Sequence, residues 1–129
     1  MDASRVAAVP VLSALPSAEL DELAAVTSEV EVDAGARVIT LDDYGTAIYF
    51  IEQGEADVLA EDGETRTLGP GDALGEIALL LTGQRTATVT AHTPMRLLSL
   101  SGQDFERIRE RVPELEGVLR RLGVERAGR

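Results

Sequence analysis

Between Val30 and Leu100 the chain is built from short runs of β-branched and aliphatic residues, each broken by a Gly- or Asp-rich turn. No other feature restricts the fold as much. Candidate strands are Arg37–Leu41, Ile48–Glu52, Ala56–Ala60, Thr65–Leu68, Thr86–Ala91 and Met95–Leu100. The breaks fall at Asp33-Ala34-Gly35, Asp42 to Gly45, Gln53-Gly54, Asp62-Gly63 and Gly69-Pro70-Gly71. Strands at this spacing, with no long helical pattern between them, predict a sandwich or barrel and not βαβ units. Glu61-Asp62-Gly63-Glu64 is a clear hairpin signal, because Asp-Gly supplies the positive φ angles that tight hairpins need.

Helical patterns flank this region. Ser17 reads as an N-cap after Pro16, with Leu20, Leu23, Ala24 and Thr27 on one face of a short helix. Leu74 to Leu80 holds strong helix formers between two turn segments and predicts one short helix inserted in the barrel's chain path. After Leu100, Ser101 caps a helix carrying Phe105, Ile108 and Val112. Pro113 suits the first turn of a further helix whose face is Leu115, Val118, Leu119 and Leu122. The polar tail from Gly123 to Arg129 is expected to fray. No internal repeat or low-complexity tract is present. The expected fold class is mainly β: an N-terminal helix, a barrel over about 30–100, and two C-terminal helices over about 101–123.

Composition narrows the function. A chain of 129 residues predicts one domain, residues 1–129, with a core that needs no staples. It has no cysteine, so neither a disulfide framework nor a thiolate metal site can form. Together with the absence of a basic, apolar leader at Met1-Asp2-Ala3-Ser4-Arg5, this predicts a cytoplasmic address. The apolar runs, such as Ile77 to Leu81, are too short to span a bilayer. The net charge of −11 repels nucleic acid and anionic membrane. With no cysteine a Cys/His nucleophile set is impossible, the one histidine has no evident nucleophile beside it, and the chain is expected not to be an enzyme. His92, before Thr93-Pro94, reads as a surface turn residue. Asp42-Asp43 and Glu61-Asp62 read as solvated turn acids. Arg107, Arg109 and Arg111 with Glu106, Glu110 and Glu114 read as i,i+4 helix pairs, and Arg120 and Arg121 as exposed.

One cluster stands out against that acidity. Gly75 lets the backbone approach a ligand closely. The N–H groups of Ile77 and Ala78 open a helical turn whose partial positive charge suits a phosphate. Glu76 can accept from vicinal sugar hydroxyls. Arg85 follows at the mouth of the next strand, where its planar fork matches two phosphate oxygens. Thr86 adds a hydroxyl, and Ala87 keeps the wall small. Spacing by itself leaves a surface ion pair between Glu76 and Arg85 open as the alternative.

Taken as a whole, Gly71-Asp72-Ala73-Leu74-Gly75-Glu76-Ile77-Ala78-Leu79-Leu80 followed by Arg85-Thr86-Ala87-Thr88-Val89 resembles the phosphate-binding cassette of cyclic nucleotide-binding domains. Tyr49-Phe50-Ile51 with Gly54 looks like that family's third-strand signature, and Gly35 matches its first turn. The resemblance runs in order from about Leu15 to Leu122. It implies a jelly-roll (double-stranded β-helix) barrel and a regulatory, signal-transducing role. It also implies residue roles: Gly75 and Glu76 on the ribose, with Glu76 taking the 2′-hydroxyl; the N–H groups near Ile77 and Ala78 on the cyclic phosphate; Arg85 on its exocyclic oxygens; Thr86 on phosphate or purine, beside Ala87. Phe105 looks like the bulky hinge residue, and Val118, Leu119 and Leu122 like a lid that closes over the base. The family often has Phe where Leu74 stands. Of the two glycines common before the third strand, Gly45 is kept and Asp42 replaces the other. Some members have lost the Glu or Arg and no longer bind; this chain keeps both.

The implied ligand is cyclic AMP, with no further cofactor or metal; the Thr86 hydroxyl leaves cyclic GMP open. The implied partner is a protein effector or fused domain touched by the C-terminal helices, with no nucleic acid and no membrane insertion. Alternatives are a ligand-free or degenerate domain serving as an interaction module, a cyclic GMP-preferring sensor, or a part of a larger channel, transporter or esterase regulator.

Overall fold

The computed structural model describes residues 1–39, 47–75 and 87–127, the last six by backbone alone. Among these residues the elements are α1 (Ala3–Ala7), a 3-10 turn (Pro10–Leu12), α2 (Ser17–Val26), β1 (Ser28–Val32), β2 (Arg37–Ile39), β3 (Ile48–Gln53), β4 (Ala56–Ala60), β5 (Thr65–Leu68), β6 (Ala73–Leu74), β7 (Ala87–Ala91), β8 (Met95–Leu100), α3 (Gly102–Ile108), a second 3-10 turn (Arg109–Arg111) and α4 (Pro113–Ala127).

The strands form two four-stranded antiparallel sheets, ordered β1-β8-β3-β6 and β2-β7-β4-β5. That order, in which the chain alternates between two packed sheets, is a jelly roll. The sheets differ in what covers them, and the sequence records the difference. In the second sheet only one face is buried. Its strand β4 alternates cleanly, with Ala56 and Val58 buried and Asp57 and Leu59 exposed. The first sheet is covered on both faces. Along β8, Met95 and Leu97 point into the sandwich, whereas Leu98 and Leu100 point outward to the helices. In β3, Ile51 faces inward, and Ile48 and Phe50 outward. Covering both faces is why these strands read as continuous apolar runs such as Leu97-Leu98 and Phe50-Ile51.

Two cores result. The interior core joins Ile39, Val58, Val89 and Ala91 of the second sheet to Ile51, Leu74, Met95 and Leu97 of the first. The outer-face core packs Phe50, Leu98 and Leu100 against Val6, Leu12, Leu23, Phe105, Ile108, Leu115 and Leu119. Gly54, at the turn after β3, has φ of +94°, and a Cβ there would lie 2.4 Å from the Pro94 carbonyl oxygen. Only glycine fits that crossing.

Five expectations need correction. Ser17 is not the cap: α2 begins at Ser17, and the first helical bond runs from the Leu20 N–H to the Pro16 carbonyl. The helix expected over 74–80 cannot include Leu74, which pairs with Tyr49 in the β3–β6 ladder and fills the interior core; residues 76–80 lie outside the described residues. The strands include β1, which starts at Ser28, and α4 continues to Ala127, beyond the expected end near Gly123. The arginines after Leu100 do not follow the i,i+4 scheme proposed for residues 106–114. Arg107 meets Asp104, Arg109 meets Glu106 and Glu116, and Arg111 reaches across to Glu22 of α2. Ser101 does cap α3, accepting from the Asp104 N–H at 3.0 Å, and Pro113 does open α4.

Candidate functional site

The expected cassette spans the crossover from one sheet to the other. β6, an edge strand of the first sheet, ends at Leu74 and hands the chain to Gly75. β7, inside the second sheet, begins at Ala87, opposite Ala60. The strand ends that flank the crossover are therefore held by different sheets around one interior core, which Leu74 and Ala87 both touch. Gly75 has φ of +88°, the left-handed region where a side chain is strained. The turn ahead of β6 is fixed from both sides. The Asp72 carboxylate accepts from the Gly69 N–H at 2.9 Å, and the Asp72 carbonyl accepts from the Ile51 N–H at 2.9 Å. Glu76, Ile77, Ala78, Arg85 and Thr86 lie outside the described residues, so of the expected ligand contacts the structure places Gly75 and Ala87.

The expected hinge and lid residues lie on the outer face of the first sheet. Phe105 is buried beside Ile108 in the outer-face core. Leu119 is buried there too, and Val118 packs against its edge. Leu122 is placed by its backbone only. α2 holds the joint between α3 and α4 at two points one helical turn apart. The Glu19 carboxylate, 7% exposed, accepts from the Glu114 N–H at 3.2 Å and so caps α4. Glu22 pairs with Arg111 at 3.0 Å. Glu19 was missed in the sequence because its partner is 95 residues away.

A second charged cluster ties α1 to the first sheet. Glu52 of β3 accepts from Arg5 Nε at 3.0 Å, Arg5 Nη2 at 2.7 Å and Arg96 Nε at 2.7 Å. The Arg5 bonds hold the Glu52 carboxyl below the usual carboxylate range, against the opposing effect of desolvation. His92 is exposed and lies 3.1 Å from Asp57, as a turn residue would. Among the described residues no group of three or more His, Asp or Glu is arranged to hold a metal, and no helix is long and apolar enough to cross a membrane.

The class these features define is a jelly-roll domain with a Gly-entered crossover between its sheets and a helical layer on one of them. Residues 29–112 match the family model of the cyclic nucleotide-binding domain. Over 103 residues the chain is 46% identical to a cAMP-dependent protein kinase regulatory subunit of Yarrowia lipolytica, covering 78% of this chain and 27% of that protein. It is 37% identical over 123 residues to a cyclic nucleotide-gated potassium channel of Rhizobium etli, covering 95% and 34%. Among solved structures, the N-terminal domain of a transcriptional regulator from Streptomyces coelicolor superposes with a TM-score of 0.72 at 31% identity, covering 98% of this chain and 90% of that one. The chain belongs to the cyclic nucleotide-binding domain family. It spans 27% and 34% of the two curated relatives, so it corresponds to one segment of such proteins.

Proposed function

We propose that this chain is a regulatory sensor domain that binds cyclic AMP and answers by moving its C-terminal helices. The observation that carries this reading is that Glu76 and Arg85 both stand in a crossover bounded by Gly75 and Ala87, in a chain of this family. Gly75 turns the chain at the end of β6. The N–H groups of Ile77 and Ala78 and the Arg85 guanidinium then hold the cyclic phosphate, each charge-assisted bond contributing about 1.5–3 kcal/mol. Glu76 accepts from the ribose 2′-hydroxyl. Thr86 bonds phosphate or base, and Ala87 leaves room for it. Movement of the cassette repacks Phe105, and α4 swings so that Val118, Leu119 and Leu122 close over the base. The closed arrangement must bind ligand better than the open one for this to act as a switch. The moving helices then report to an effector or a fused domain.

A thermal-shift panel with cyclic AMP, cyclic GMP and 5′-AMP tests the ligand. At a hundred-fold excess over Kd a binder gains about 2.7 kcal/mol, which raises Tm by several degrees in a domain of this size. Cyclic AMP is expected to give the largest shift. A larger shift with cyclic GMP would assign Thr86 to the guanine amino group, and no shift with either would mean a ligand-free interaction module.

A further inference from the structure

The joint between α3 and α4 carries charges that the binding reading does not use. Arg109 opens the 3-10 turn between the two helices. Its Nη1 donates to Glu106 of α3 at 2.8 Å, and its Nε donates to Glu116 of α4. Its guanidinium carbon lies 5.5 Å from the centroid of the Phe105 ring, within cation–π range. The second Glu116 oxygen accepts from Arg120 Nε at 3.0 Å, a bond internal to α4. One guanidinium therefore touches the expected hinge residue, an acid on α3 and an acid on α4. Glu116 is held below the usual carboxylate range, chiefly by Arg109 and then by Arg120.

The position that this contact fixes can be read from the packing. Leu115 and Leu119 are both 0% exposed, buried in the outer-face core with Leu12, Phe105 and Val112. Ala87 and Leu74, which flank the crossover, belong to the interior core on the other side of the first sheet. In the binding reading above α4 closes over the base on the cassette side, a position that Leu119 reaches by leaving the outer-face core. Docked and lid-closed are in that reading different positions of α4, and the Arg109–Glu116 pair is present in the docked one.

We propose that the Arg109–Glu116 ion pair, seated on Phe105, is a latch that holds α4 docked on the outer face and must open before the helix can close on a bound cyclic nucleotide. The inference rests on the binding reading above. A contact made in only one of two states shifts their balance by its own free energy and no more. The Arg109 and Glu116 side chains are 36% and 24% exposed, so the pair is a modest one. Its loss should tighten ligand binding by about two- to five-fold.

The chain has no cysteine, so spin labels can be placed uniquely by Thr67→Cys on β5 and Arg121→Cys on α4, both exposed positions. Distances are measured without ligand in the otherwise natural chain and in Glu116→Gln, Arg109→Met, the double variant and Arg120→Met. Each latch variant is expected to move weight to a second distance, with the double variant matching either single because the two residues share one interaction. Arg120→Met, which spares the latch, should leave the distances unchanged. Cyclic AMP affinity by titration should rise two- to five-fold in the latch variants only. Unchanged distances in the latch variants, or weakened binding, would overturn the latch. Shifted distances in a chain that binds no cyclic nucleotide would uphold the docking role and overturn the ligand reading alone.

Discussion

Gly75 shows how much one residue decides. Its φ of +88° is a conformation an L side chain reaches only at about 1–2 kcal/mol. It stands where an edge strand of one sheet releases the chain toward the other. Gly75→Ala is therefore expected to lower stability by about that amount in urea denaturation and to weaken cyclic AMP binding further by re-aiming the turn. Unchanged stability would show that the turn does not need glycine. Glycine at this position could be read from the sequence as close backbone approach, whereas the angle itself could not. Arg109 was legible only as one charge in a helical run. Its contacts to Phe105 and Glu116 depend on the helix breaking at Arg109–Arg111, which the sequence pattern did not mark.

Among elements, the strands with clean punctuation were the easiest to read. β4, β5 and β8 start and end where the turns around them predict, because Gly54, Gly63 and Pro94 stop pairing at fixed points. β1 is absent from the candidate strands, since Ser28 and Glu29 carry no β-branched signal and are held by pairing with Ser99 and Leu98 of β8. β6 has two residues and exists only through its ladder to β3. α1 has five and is set by Asp2, whose side chain accepts from the Ser4 N–H, and by buried Val6. Such short elements lack a period and are fixed by tertiary contact. The attachment of α1 predicts a pH effect. The Glu52 carboxyl is depressed in the folded chain, first by its bonds to Arg5. A depressed folded pKa supplies stability that is fully present above the unfolded value near 4.3 and is lost as pH falls through the folded value. Glu52→Gln should thus be less stable than the parent at pH 7, and the gap should close as pH drops below about 4. Denaturation midpoints across that range check it, and a gap independent of pH would remove Arg5–Glu52 from the stability of the fold.

At the scale of the whole molecule, the jelly roll follows from strand spacing and the family from residues 29–112. The two-faced burial of the first sheet gives the domain an interior core on one side and a helical layer on the other. Phe50 and Ile51, neighbours in sequence, belong to different cores, so a shift in β3 is felt on both. The net charge of −11 gives an anionic ligand no long-range attraction, and affinity must come from short contacts in the cassette. Arg85 is the one arginine between Gly75 and Ala87, and the proposed reading assigns the charge pairing to it. Titration calorimetry of cyclic AMP into the natural chain and into Arg85→Ala, with Tm measured for both, tests this most directly. One-to-one binding by the natural chain is predicted, weakened about 100-fold or more in the variant at an unchanged Tm. Equal affinity in the two proteins, or no binding of any cyclic nucleotide by the natural chain, would contradict it.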